Sequence, residues 1–132
     1  MYAITLQQPW AWAVFHAGKD VENRTWKIPL GRILIHAGRA IDQDGIDFME
    51  DVMGIEMPYT KLNAMARGKI IGSVEVVNVS RGRHKSPWAV RGQFHHDLAR
   101  PRLARKQIAV RGTPGLWRPP EGWEQSVTRK AS

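Results

Sequence analysis

Residues 69–79, Lys-Ile-Ile-Gly-Ser-Val-Glu-Val-Val-Asn-Val, are dense in β-branched side chains. Such side chains lose χ1 freedom in a helix and pack well on a pleated surface, so this stretch is a strand and a sheet must be built around it. On strict alternation Ile71, Ser73, Glu75 and Val77 share one side. Ile70, Gly72, Val74, Val76 and Val79 do not all share the other, which predicts a bulge near Gly72 or Asn78. Glu75 is the polar exception in this run. A buried carboxylate without a partner is costly, so it must face a cation, a wet groove or a barrel end, and its expected partner is Lys19 or Arg24.

Other elements follow from local signals. Residues 2–6 are short, apolar and partly β-branched, a first strand. Pro9 suits the first position of a helix over 10–17, and Gly18 suits the left-handed residue that closes it. Residues 21–26 and 32–37 read as strands parted by a turn at Pro29-Leu30-Gly31. Residues 41–53 have helical spacing with Asp42 as N-cap, and 60–67 form a second short helix ending at Gly68. A loop at 82–87 leads into mixed polar sequence, with final strands at 107–110 and 115–117 and a flexible tail from Pro119. The sum is an α+β domain over residues 1–118: a small mixed β-barrel with two or three flanking helices, closed because closure hides strand edges.

A chain of 132 residues suits one domain that buries about two-thirds of its unfolded surface. Cysteine is absent, which excludes a disulfide framework and any thiolate metal site. No apolar stretch approaches the roughly 20 residues of a membrane span. The start, Met1-Tyr2-Ala3-Ile4, lacks signal-peptide features, so the expected compartment is the cytoplasm.

The net charge of +8 is localised. Residues 1–80 carry 8 basic and 9 acidic side chains, whereas residues 81–111 carry 9 Lys or Arg against the single Asp97. A solvated face ordinarily mixes its signs; a one-signed segment points to a polyanion. Arg81, Arg83, His84, Lys85, Arg91, Arg100, Arg102, Arg105 and Lys106 are its candidate nucleic-acid contacts.

A second constellation lies near the start, where Lys19, Glu22 and Arg24 follow Gln8-Pro9-Trp10-Ala11-Trp12. A cation, an acceptor and a planar guanidinium within six residues suit a polar, planar ligand such as a nucleobase. Glu22 and Arg24 lie two apart and share a strand face, where a carboxylate and a guanidinium pair readily. Lys19 serves as an electrostatic anchor, or as one end of a salt bridge to Glu22 that ties the turn. Of Trp10, Trp12, Trp26, Trp88, Trp117 and Trp123, most belong in a core. Trp88 is the favoured exception, an exposed ring for base stacking after the basic loop, and Trp10 is second. His95-His96-Asp97 is a poor metal site, because adjacent residues on a strand point apart and no third ligand is near. No metal and no cofactor are expected.

The spacing Lys19-x-x-Glu22-x-Arg24 resembles the ASCH domain signature Gly-x-Lys-x-x-Glu-x-Arg, with Ala17 at the glycine position and Gly18 one place later. The resemblance runs from Ile4 to Arg118, through Gln8-Pro9-Trp10, Leu34-Ile35-His36-Ala37, residues 68–76, Ser86-Pro87-Trp88, Val110-Arg111-Gly112 and Gly115-Leu116-Trp117. It implies a PUA-like barrel, a group whose relatives include RNA-binding and modified-base-reading modules, with a groove between the first helix and the sheet.

Three functions compete. The first is an RNA-binding module, DNA being the lesser alternative, in which the basic segment tracks phosphates while Lys19, Arg24 and Trp88 hold a base. The second is a small hydrolase. By resemblance to a bacterial branch that deacetylates N4-acetylcytidine with a lysine, a threonine and a glutamate, Lys19 and Glu75 match two of the three, and Glu22 stands where the threonine would be. Lys19, Glu22 and Glu75 are then the catalytic candidates, with Glu75 activating water and Lys19 stabilising the oxyanion, on a modified nucleoside or, as a ribonuclease, on RNA. The third is a protein-interaction domain whose basic face meets an acidic partner.

Overall fold

The computed structural model describes residues 1–121. The expected tail beyond Glu121, with Trp123, lies outside the described residues. In chain order the elements are β1 (Ala3–Gln8), α1 (Trp10–His16), β2 (Val21–Arg24), β3 (Gly31–Ile41), α2 (Gln43–Asp51), α3 (Tyr59–Ala64), β4 (Lys69–Ser80) and β5 (Phe94–Ala109). The strands form one mixed sheet in the order β1-β3-β4-β5-β2, parallel only between β1 and β3.

The β-branched run occupies the middle of this sheet, as β4. Opposite β3 its register passes from Ile70↔His36 to Gly72↔Ile35, which makes Ile71 an extra residue and places the predicted bulge. The bulge sets the core. Ile71 joins Val74 and Val76 on the face that carries Ile4, Leu6, Ile33 and Ile35, whereas Ile70 falls with Leu34 and Trp117 on the other. A second register shift against β5, between Val76 and Asn78, matches the other predicted position. Gly72 is required by what surrounds it: a Cβ there would stand 2.4 Å from the Arg102 carbonyl oxygen and 2.7 Å from the Phe15 ring.

Helix α1 packs Ala11 and Val14 against the Val74 and Val76 face, and α2 and α3 contribute to a second cluster. Asp42 caps α2 by accepting from the Asp44 amide; Met49 packs with Met57, Leu62, Met65 and Trp88, and Gly45 lies against Pro9 and Trp10. Helix α2 stops at Asp51, short of the expected 53, which leaves Val52 exposed. No helix among the described residues is long and apolar enough to cross a membrane.

Two expectations are corrected. The sheet does not close into a barrel: β1 and β2 are its edges, and no ladder joins them. Strand β2 is only four residues long, and the backbone of Ala3 on the outer side of β1 is taken by Trp117 through a two-bond bridge. What spans the seam is a side chain, Arg24, whose Nη2 donates to the Thr5 carbonyl at 3.0 Å. The second correction concerns the basic segment. Most of it is the 16-residue strand β5 rather than loop. Its cations and Pro101 obscured it, yet β2 pairs with residues 94–97 and Asp20 takes the Leu98 amide, so among the described residues β5 beyond Leu98 has an unpaired side where proline and charge are tolerated.

Candidate nucleotide-binding site

Helix α1 closes on Gly18 at φ +70°, the left-handed residue expected there, and the Lys19 amide reaches back to the Ala13 carbonyl at 3.1 Å. That reversal turns the Lys19 side chain inward, where it is 5% exposed. Its ammonium donates to the Val21 carbonyl and, at 2.8 Å, to Glu22 Oε1. Glu22, 8% exposed, uses its other oxygen to accept from Arg24 Nε at 3.0 Å. Burial alone would raise the Glu22 carboxyl; the charges and hydrogen bonds of Lys19 and Arg24 outweigh it and hold the group below the usual carboxylate range. The salt bridge considered for the turn is therefore present, and Arg24 extends it to a triad.

The backbone beneath is fixed by His96. Its Nε2 accepts from the Ile28 amide at 2.8 Å, so Nδ1 carries the proton and donates to the Glu22 carbonyl at 3.0 Å. Burial, the largest influence, pushes this imidazole below its ordinary pKa, toward the neutral form that the two bonds require. His96 is thus a strut, and no cluster of metal-ligating side chains occurs among the described residues.

The triad opens onto a cavity of about 660 Å³ walled by Trp10, Trp26, Phe48 and Trp88. Trp88 is not the exposed ring expected. It is 4% exposed and packed against Phe48 at 5.2 Å and Trp10 at 6.3 Å between centroids, so little of the ring is open to a ligand. The loop before it is pinned by Asn23, which donates to the Trp88 carbonyl at 2.8 Å and accepts from the Val90 amide at 2.7 Å. Trp10 donates its indole N–H to Asp42 at 2.8 Å, so the N-cap of α2 also fixes the cavity mouth. Trp26 stands with Glu22 and Arg24, as their two-residue spacing implies. Sequence reasoning missed Asn23, Phe48 and Asp42 as cavity residues, and of these only Asp42 left a signal, as a cap.

Glu75 is not brought to this site. Ala11 and Val14 of α1 pack on the Val74 and Val76 face, whereas Ser73 and Glu75 share the opposite one, as alternation predicts. There Glu75 is paired in register with Arg32 and forms an ion pair with Arg100. The expected Lys19 or Arg24 partnership is replaced by that pair.

All nine cations of the basic segment are exposed. Arg81, Arg83, Lys85 and Arg91 surround the 81–93 connection, where His84 is tied by Asp97 at 2.6 Å and by the Ser86 amide at 3.0 Å. Arg100, Arg102, Arg105 and Lys106 lie together on β5. The two groups sit in different parts of the sheet, so the segment is not one compact patch.

Compared with known proteins, residues 4–107 match the ASCH domain. No curated protein matches the chain.

Proposed function

The chain belongs to the ASCH domain family, one generally linked to RNA binding, and from that premise we propose that it binds RNA. A base occupies the tryptophan-walled cavity over the Lys19–Glu22–Arg24 triad, and the cations of β5 meet the strand's phosphates. The observation that carries this reading is the buried triad itself. Two cations are fixed around one carboxylate in a cavity with aromatic walls, and Arg24 keeps guanidinium N–H groups beyond those spent on Glu22 and Thr5. Such a site arrives pre-organised, since the groups that touch a ligand are already ordered.

Binding is favoured over hydrolysis by one specific arrangement. Both oxygens of Glu22 are committed to cations, and Glu75 stands with Arg100 on the other face of the sheet. Neither carboxylate is placed to activate water beside Lys19.

The test is incubation with labelled single-stranded RNA and, separately, with N4-acetylcytidine, read by mobility shift and by product analysis. With Arg100, Arg102, Arg105 and Lys106 engaged, log affinity falls against log salt with a slope of about −3. Charge reversal at Arg102 and Arg105 flattens that slope by one unit or more. Absence of binding at low salt, a slope near zero, or conversion of either substrate overturns the reading.

A further inference from the structure

A second cavity, of about 640 Å³, adjoins the first through Thr5, which lines both. The carbonyl of Thr5 accepts from Arg24 on one side, and its hydroxyl is part of the wall on the other. That wall is ordered by a defined hydrogen-bond relay. His36 Nε2 lies 2.7 Å from the Val110 carbonyl, which can only accept, so Nε2 carries the proton and Nδ1 holds a lone pair. Thr5 donates its hydroxyl to that Nδ1 across 3.1 Å and accepts from the Trp117 indole N–H at 3.2 Å.

The backbone of residue 112 rests on this relay so closely that a Cβ there would stand 2.6 Å from Thr5 Oγ1, which only glycine permits. Gly38 and Gly68 also line the cavity, and the Arg39 guanidinium lies across Gly68, where a Cβ would stand 3.3 Å from it. Over the cavity project Arg39 and Arg111, both exposed, and neither makes a hydrogen bond or ion pair among the described residues. Among the described residues no carboxylate lines this cavity.

The two cavities therefore differ in charge. The aromatic one sets Lys19 and Arg24 against Glu22, Asp42 and Asp44, a surplus of carboxylate that disfavours phosphate while offering acceptors to a base edge or a ribose hydroxyl. Among the described residues its neighbour offers two unpaired guanidinium forks, and no tryptophan lines it. A nucleotide has the same division, a planar neutral base beside an anionic phosphodiester. We infer that the Arg39–Arg111 cavity is a phosphate subsite, which holds the phosphate joined to the nucleotide whose base fills the aromatic cavity. This assignment rests on the RNA reading given above.

Tryptophan fluorescence and amide NMR separate the two claims. The probes are adenosine and cytidine as nucleosides and as their 3′- and 5′-monophosphates, with inorganic phosphate alone as a further arm. The expected result is quenching by all nucleosides, binding at least roughly tenfold tighter for one monophosphate series, and shifts of the Gly68 and Gly112 amides only when phosphate is present. In an Arg39→Gln/Arg111→Gln double variant, nucleoside and monophosphate bind alike, and the salt slope for RNA flattens by about one unit. Quenching with no gain from phosphate, or a gain that survives the double variant, overturns the subsite and leaves the base cavity standing. A Gly112 response to inorganic phosphate with no quenching by any nucleotide identifies a free-anion site and overturns the nucleotide assignment. No response to any probe overturns both.

Discussion

Replacing Glu22 by glutamine removes one charge and almost no volume, so its effect isolates the electrostatics of the triad. Lys19 is bonded at Oε1 and its side chain is 3% exposed; Arg24 is bonded at Oε2 and its side chain is 21% exposed. Removing the partner of a buried charge costs about 3–5 kcal/mol, whereas a partly solvated pair is worth about 1 kcal/mol or less. Lys19 keeps the Val21 carbonyl and can tilt toward the Trp10 ring, 5.9 Å from its Nζ, which favours the lower end of the first range. The expected loss is about 3–4 kcal/mol, or a fall in Tm of roughly 10–15 °C for a domain of this size. Urea denaturation followed by tryptophan fluorescence measures it, with Lys19→Met and the double variant completing a cycle. Lys19→Met alone leaves Glu22 with Arg24, so it costs less, and the double variant is more stable than the sum of the singles implies, by about 2 kcal/mol. A Glu22→Gln loss under about 1 kcal/mol with zero coupling refutes the premise that the buried triad, rather than the packing around it, holds this turn.

Other perturbations address different parts of the molecule. Trp88→Ala is expected to cost about 3–5 kcal/mol in urea denaturation, as for a buried ring, and an exposed stacking residue would cost almost nothing. His36 and His96 both have pKa values depressed chiefly by burial, so the unfolded chain takes up protons first. Their contribution is complete above the ordinary histidine pKa of about 6.5 and is lost as pH falls below it, and an unchanged urea midpoint between pH 7.5 and pH 5.5 would contradict that. Gly72→Ala forces a methyl against the Arg102 carbonyl oxygen, at an expected cost of about 1–3 kcal/mol that Phe15→Leu relieves little, because backbone blocks the space.

The bulge in β4, the Asp42 cap and the Gly18 helix end were legible because each is written in a few adjacent residues. The Lys19–Glu22 contact was legible for the same reason, three positions apart across one turn. Alternation set Glu75 opposite Val74 and Val76 correctly and misassigned only Ile71, which the bulge moves to their face; Glu75 was given the wrong partner because Arg100 was read as loop rather than as part of the neighbouring strand. Strand β5 was missed because propensity reads Arg100 through Lys106 as solvated loop, while its pairing is decided by the long apolar strand beside it. Trp88 was misjudged on its basic neighbours; the rings it packs against, Phe48 and Trp10, are 40 and 78 positions away in the chain. Several walls of the Arg39–Arg111 cavity, His36, Gly68 and Val110-Arg111-Gly112, lay in segments singled out by the family resemblance, but nothing local in them showed that β1, β3, the residue before β4 and the segment after β5 would meet.

The unpaired side of β5 has a consequence for how copies of this protein meet. An open strand edge is ordinarily a template on which a second molecule can extend the sheet. Here that edge carries Arg100, Arg102, Arg105 and Lys106 within seven residues, and any copy aligned along it brings the same four charges. Among the described residues only Arg100 is offset, by Glu75. The edge therefore disfavours pairing with a copy of itself, because alignment would bring like charges together.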